Sequence, residues 1–196
     1  PKVNPCVVLP TGAGKSPVMA WIIQRWKTEH PPLRVAVLAH RKELVEQNAD
    51  KMIAIWPTAD VGLYAASLDR REMHHAITFA HIDSVYKRGS DFEPFDVVIV
   101  DEAHRIPARG EGKYRRFIAD CALQNPHLIV VGFTATAYRL TSGPICHRDH
   151  VLNEICYEAN TGDLIAQGYL CRLRSKIGES QPDLTNVHTR QGDYKK

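Results

Sequence analysis

Two short strings in this chain carry residue types whose spacing suits phosphate chemistry. The first is Pro10-Thr11-Gly12-Ala13-Gly14-Lys15-Ser16. Gly12 and Gly14 let the backbone turn back on itself, so that successive N–H groups converge on phosphate oxygens. A helix starting at the same point adds the positive end of its dipole. Lys15 is then placed for the β- and γ-phosphates, and the Ser16 hydroxyl for Mg²⁺. The second string is Asp101-Glu102-Ala103-His104. Asp101 is the candidate to hold Mg²⁺ through water, and Glu102 the candidate to polarise a water attacking the γ-phosphate. His104 is near enough to couple that acid to a neighbouring loop. Each string occurs by chance in unrelated proteins. Together they point to hydrolysis of ATP with Mg²⁺ as the second cofactor.

Chemistry of this kind needs rigid supports, and the flanking residues supply them. Cys6-Val7-Val8-Leu9 precedes the first string and Val97-Val98-Ile99-Val100 the second. Such runs lack polar alternation, as strands covered on both faces do. Strands are predicted at Cys6–Leu9, Val35–Ala39, Ile77–Phe79, Val97–Val100 and Leu128–Gly132, with a further one at Tyr169–Arg174. Between them, apolar residues recur at helical spacing. The first helix starts at Gly14-Lys15-Ser16, tolerates Pro17 in its first turn, and turns Val18, Met19, Ile22, Ile23 and Trp26 inward. The second runs from Arg41 to about Trp56, burying Leu44, Val45, Ala49, Met52, Ile53 and Trp56. The third runs from Lys113 to Leu123, with Phe117, Ile118 and Cys121 inward. Trp21, Trp26 and Trp56 all fall at core-like positions. Thr161 to Gly168 reads as a short capped helix that Gly168 stops. This alternation predicts an α/β domain around a mainly parallel sheet.

At 196 residues the chain has room for one such domain with a full core. The formal net charge of +3 permits nucleic acid as a partner without demanding it. Five cysteines without a CxxC pair predict free thiols in a reducing cytoplasm. No apolar stretch approaches a membrane span, so no membrane partner is expected. Cys146, His147, His150 and Cys156 lie close in sequence, but their spacing matches no closed zinc site. The chain opens on Pro1 without a methionine, which predicts a piece of something longer.

The strict phosphate-loop pattern places glycine at position 9, and this chain has Leu9. A loop reading Pro-Thr-Gly-x-Gly-Lys-Ser without that glycine resembles the form used by superfamily 2 helicases and translocases. Two further strings are similar to motifs of the same family. Phe133-Thr134-Ala135-Thr136 resembles motif III, which links ATP hydrolysis to nucleic-acid movement. Ala39-His40-Arg41-Lys42-Glu43-Leu44 resembles motif Ia, which grips the nucleic-acid backbone. Their order resembles the first RecA-like domain of a DEAH-box helicase over residues 5–140. Tyr138-Arg139-Leu140 and Leu164 through Leu170 resemble the DNA-directed branch, which includes restriction-enzyme motor subunits and excision-repair helicases.

The resemblance implies a three-layer P-loop NTPase domain, with residues 1–174 as the ATP-binding unit and 175–196 as a linker or the start of a second domain. It implies a nucleic-acid partner, DNA favoured over RNA, and a second RecA-like domain in the same parent chain to complete the ATP site. His40, Arg41 and Lys42 are the expected phosphate-backbone contacts, since such contacts need donors and charge rather than specificity. Thr78 and His81 fall where the family's motif Ib or Ic contacts lie. Thr134 and Thr136 are the expected coupling residues. The Arg70-Arg71 and Arg115-Arg116 pairs read as solvated faces. A P-loop switch or small-molecule kinase explains the phosphate loop but leaves Asp101–His104 and Thr134–Thr136 without a purpose. A non-catalytic nucleic-acid-binding module is disfavoured by the intact set Lys15, Ser16, Asp101 and Glu102.

Overall fold

A computed structural model describes residues 2–139 and 143–172, with the backbone of 189–190 and 193–194. In chain order the elements are β1 (Pro5–Val8), α1 (Lys15–Glu29), β2 (Val35–Ala39), α2 (Lys42–Ile55), β3 (Val61–Ala65), β4 (Arg70–Arg71), β5 (Ile77–His81), α3 (Ile82–Val85), β6 (Val97–Asp101), α4 (Lys113–Gln124), β7 (Ile129–Thr134), β8 (Tyr138–Arg139), β9 (Gly143–Pro144), β10 (Glu154–Glu158) and α5 (Thr161–Ala166). Eight strands form one sheet in the order β10-β1-β7-β6-β2-β5-β3-β4. Every pairing in it is parallel except the short β3–β4 contact.

The all-apolar runs are explained by burial on both faces. In β6, Val98 and Val100 join a core shared with α4, through Phe117, Ile118 and Cys121. Val97 and Ile99, pointing the other way, join a core shared with α1 and α2 through Met19, Ile23, Val45 and Met52. A period-two strand between two helical layers has no solvent face to make polar. The result is three layers, helix on sheet on helix, as the alternation predicts.

Three expectations need correction. Tyr169–Leu170 lie in a bend, and Cys171 and Arg172 carry no strand either, while Leu173 and Arg174 lie outside the described residues. The outer position beside β1 is taken instead by β10, which pairs with it from Pro5↔Glu154 to Val8↔Glu158. Second, Trp21 is 58% exposed, because α1 buries Met19, Ala20 and Ile23 and so turns Trp21 outward. Third, Ile53 is exposed, and α2 instead buries Asn48 along with Val45, Ala49 and Met52. The expected linker from 175 onward lies outside the described residues, apart from the two backbone pairs named above. No helix among the described residues is long and apolar enough to cross a membrane.

Candidate functional site

The three strands that carry the chemistry-bearing strings lie side by side, with β7 between β1 and β6. Parallel pairing brings their carboxyl ends to one edge, where an open α/β sheet places its ligands. β1 leads into the phosphate loop. Gly12 and Gly14 both take positive φ, 84° and 81°, and the Ala13 N–H donates back to the Pro10 carbonyl at 3.1 Å. Gly14 stands at the amino end of α1, a 15-residue helix whose dipole points into the loop. Pro10, Thr11, Gly12, Ala13, Gly14, Lys15 and Ser16 thus form one continuous turn into a helix.

At the end of β6, Asp101 is buried. Asn48 Nδ2 donates to one of its carboxylate oxygens at 3.1 Å and the Glu102 N–H to the other at 2.9 Å. Burial pushes the Asp101 carboxyl above the usual carboxylate range, and the neighbouring Glu102 charge adds to the shift. The Asn48 and Glu102 N–H bonds and Lys15 pull it back. Glu102 adopts φ 54°, ψ 52°, a left-handed conformation uncommon for a residue with a side chain. Strain of this kind persists where the surroundings over-determine it. Here the consequence is that Glu102 turns off the strand towards the loop: its Oε1 lies 3.8 Å from Lys15 Nζ, and its Oε2 3.3 Å from His104 Nδ1.

Thr134 ties these parts together. Its carbonyl accepts the Leu9 N–H at 2.8 Å, just before the phosphate loop. Its hydroxyl lies 3.1 Å from His104 Nδ1, donates to the Thr136 carbonyl and accepts the Thr136 N–H. The approach is close because β7 carries Gly132, where a Cβ would stand 2.9 Å from that of Ala103. Arg139 fastens the same segment from outside, with Nε donating to the His104 carbonyl at 2.7 Å and Nη2 to the Ile106 carbonyl. Lys15, Glu102, His104 and Thr134 therefore form one run of contacts across three strand ends.

The proposed nucleic-acid contacts are less uniform. Arg41 and Lys42 are exposed at the start of α2. His40 is half-buried, and its Nδ1 has no hydrogen-bond partner among the described residues. Burial, with Arg105 and Arg41 nearby, pushes its imidazole down to about 4. His81 Nε2 lies 3.2 Å from the His40 carbonyl, so the two form a pair. Thr78 lies fully buried within β5, its hydroxyl on the His75 carbonyl. That position leaves it no surface to offer a strand of nucleic acid, because β5 is covered on both sides and by both neighbouring strands.

Ser16 and Asp101 supply hard oxygen donors, the kind Mg²⁺ takes in ones and twos while phosphates and waters complete its shell. Among the described residues no group of three His, Cys, Asp or Glu converges as a metal set. Near the other candidate cluster, Cys146 Sγ donates to the Glu154 carbonyl, Cys156 Sγ to the Cys6 carbonyl, and His147 pairs with Asp149. One residue of the main site escapes a reading of motifs: Asn48 signals itself only as a polar residue inside the apolar stripe of α2. Arg139 falls in the string Tyr138-Arg139-Leu140, but that string does not disclose its grip on the His104 carbonyl.

Comparison with known proteins adds to this geometry. Residues 2–139 match the family described as "Type III restriction enzyme, res subunit". The DEAD-box ATP-dependent DNA helicase Fancm of Drosophila melanogaster is 27% identical over 168 residues, 76% of this chain and 11% of that protein. Among solved structures, the Type ISP restriction-modification enzyme LlaGI, in complex with a DNA substrate mimic, superposes with a TM-score of 0.63 at 14% identity, covering 86% of this chain and 19% of its own. The helicase domain of Pyrococcus furiosus Hef gives a TM-score of 0.61 at 21% identity, over 88% of this chain and 38% of its own. The chain therefore spans only a part of each relative's length.

Proposed function

The chain belongs to the family of type III restriction enzyme res subunits, and from that premise we propose that it is the nucleotide-holding motor domain of an ATP-dependent helicase or translocase acting on DNA. The observation that carries this reading is the unbroken run Lys15–Glu102–His104–Thr134 at the ends of three adjacent strands. A simple phosphate-binding loop has no use for its last two members.

The turn from Pro10 to Ser16 cradles the phosphates, and Lys15 neutralises charge on the γ-phosphate. Its 3.8 Å separation from Glu102 is a loose ion pair that a phosphate oxygen can replace. Ser16 and Asp101 would hold Mg²⁺, which would supply charge neutralisation to the bound phosphates. Glu102 accepts the proton of the attacking water, while His104 holds its second oxygen and so fixes the carboxylate plane. Thr134 and Thr136 pass changes at His104 to the strand end beside it. Arg41 and Lys42, with His40 and His81 behind them, meet the phosphate backbone of the track. A second RecA-like domain in the parent chain completes the site with an arginine. Residues 1–174 form the unit that holds the nucleotide, working in a reducing compartment such as the cytoplasm, in keeping with free Cys6 and Cys121.

The test is ATPase activity of the parent protein with and without single-stranded and duplex DNA, and with RNA. Stimulation by DNA well above that by RNA supports the reading. Turnover indifferent to any nucleic acid overturns it in favour of a switch or kinase.

A further inference from the structure

After β10 the chain returns to the phosphate loop. The Ala159 N–H donates to the Val8 carbonyl at 3.0 Å, and the Asn160 side chain caps α5 by accepting the N–H groups of Gly162 and Asp163. Gly168 ends the helix at φ 78°, and the amides of Tyr169 and Leu170 both donate to the Leu164 carbonyl, at 2.9 and 3.1 Å. These two bonds to one oxygen fix where the two side chains leave the turn. Leu170 packs on the loop itself: its Cδ2 would stand 3.3 Å from a Cβ at Gly12. Tyr169, the residue before it, is 73% exposed. Residues 10–16, 101–104 and 134–136 include no Phe, Tyr or Trp, so the site so far described has no broad apolar ring for a base.

We infer that the segment Thr161–Leu170 is the base-side wall of the nucleotide site, with Leu170 bracing the loop at Gly12 and the Tyr169 ring stacking on the nucleobase. The inference rests on the ATP-binding reading above and extends it from the phosphates to the base. A phenol ring held by a fixed backbone turn loses little conformational freedom on stacking, and a π-face accepts any base. The wall therefore contributes affinity for nucleosides over bare polyphosphate, with little choice between purines.

The experiment compares binding of ATP and of inorganic tripolyphosphate, each with Mg²⁺, to the 196-residue chain by calorimetry. Tyr169→Ala is expected to lower ATP affinity about 5- to 100-fold, the range of base–aromatic stacking. It leaves tripolyphosphate affinity unchanged, and Tyr169→Phe restores ATP binding. Leu170→Ala, which unbraces the loop, lowers affinity for both ligands. Unchanged ATP affinity in Tyr169→Ala overturns the inference. So does an equal loss of ATP and tripolyphosphate in that variant, which would place Tyr169 in support of the loop rather than against the base. If the unaltered chain binds neither ligand, the ATP-binding reading itself fails and this inference fails with it.

Discussion

Along the carboxyl edge of the sheet, the ends of β1, β7 and β6 hold side chains that are buried or half-buried and bonded to one another. The end of β2, the next strand beyond β6 in the same sheet, presents Arg41 and Lys42 to solvent. At the first region Asp101 has both carboxylate oxygens engaged and Glu102 sits in a strained backbone conformation. The second region has charge and exposure without a comparable scaffold. The difference fits the chemistry proposed for each region. Splitting a phosphoanhydride needs atoms placed to fractions of an ångström. Holding a polyanionic track while moving along it needs positive charge that can let go.

Removing the acid tests the first region hardest. Glu102→Gln keeps the shape and the φ 54° turn but loses the proton acceptor. DNA-stimulated ATPase is expected to fall about 10²- to 10⁴-fold, with ATP binding retained. Turnover within about tenfold of the unaltered protein would move the base elsewhere and erase the contrast between the two regions, since general-base catalysis contributes more than that.

Asn48 offers a sharper cut. Its Nδ2 holds Asp101, while its Oδ1 is buried with no partner among the described residues. Asn48→Ala removes a good bond and an orphaned oxygen together, so the stability loss is expected near the low end of about 1–3 kcal/mol for such a change. Denaturant unfolding measures it. The Mg²⁺ concentration for half-maximal ATPase is expected to rise, because Asp101 loses a group that favours its charged form. A stability loss without any Mg²⁺ effect would make Asn48 part of the core alone.

The same contrast decides what was legible in sequence. Val97–Val100 announces a strand because each face meets its own apolar core, so every position must be apolar. The phosphate loop is legible because positive φ at Gly12 and Gly14 is written in residue type. By contrast, β10 reads Glu-Ile-Cys-Tyr-Glu, exposed throughout. Only its pairing with β1, nearly the whole chain away, makes it a strand. β3 was hidden by Gly62, where His75 packs against the backbone and leaves no room for a side chain. Asn48 is visible as an oddity in the α2 stripe, but nothing local names Asp101 as its partner.

Arg41 and Lys42 test the second region. Replacing both with alanine is expected to weaken DNA binding about equally for all sequences. Each lost phosphate contact flattens the slope of log affinity against log salt by about 0.9 on duplex or about 0.7 on single strands. ATP binding without DNA is expected to stay unchanged. An altered ATP affinity would show that the two regions share more structure than their side-chain contacts reveal.

His40 stands on the border of the two regions, and pH sharpens which side it belongs to. Its imidazole is pushed from 6.5 down to about 4, by burial first and then by Arg105, Arg41 and His104, with Glu102 opposing. Between those two values the unfolded chain binds a proton that the folded chain refuses. The stability tied to a neutral His40 is therefore complete above pH 6.5 and is lost as pH falls towards 4. His40→Gln removes that loss, so its melting temperature is expected to fall less steeply than that of the unaltered chain over this window. A neutral His40 also predicts that DNA affinity between about pH 7.5 and about pH 6 changes by the same factor in the two proteins. If instead affinity rises on acidification only when His40 is present, a bound phosphate is drawing a proton onto the ring. His40 would then act as a cation on the track, and its burial would be the means of releasing that charge when the track departs.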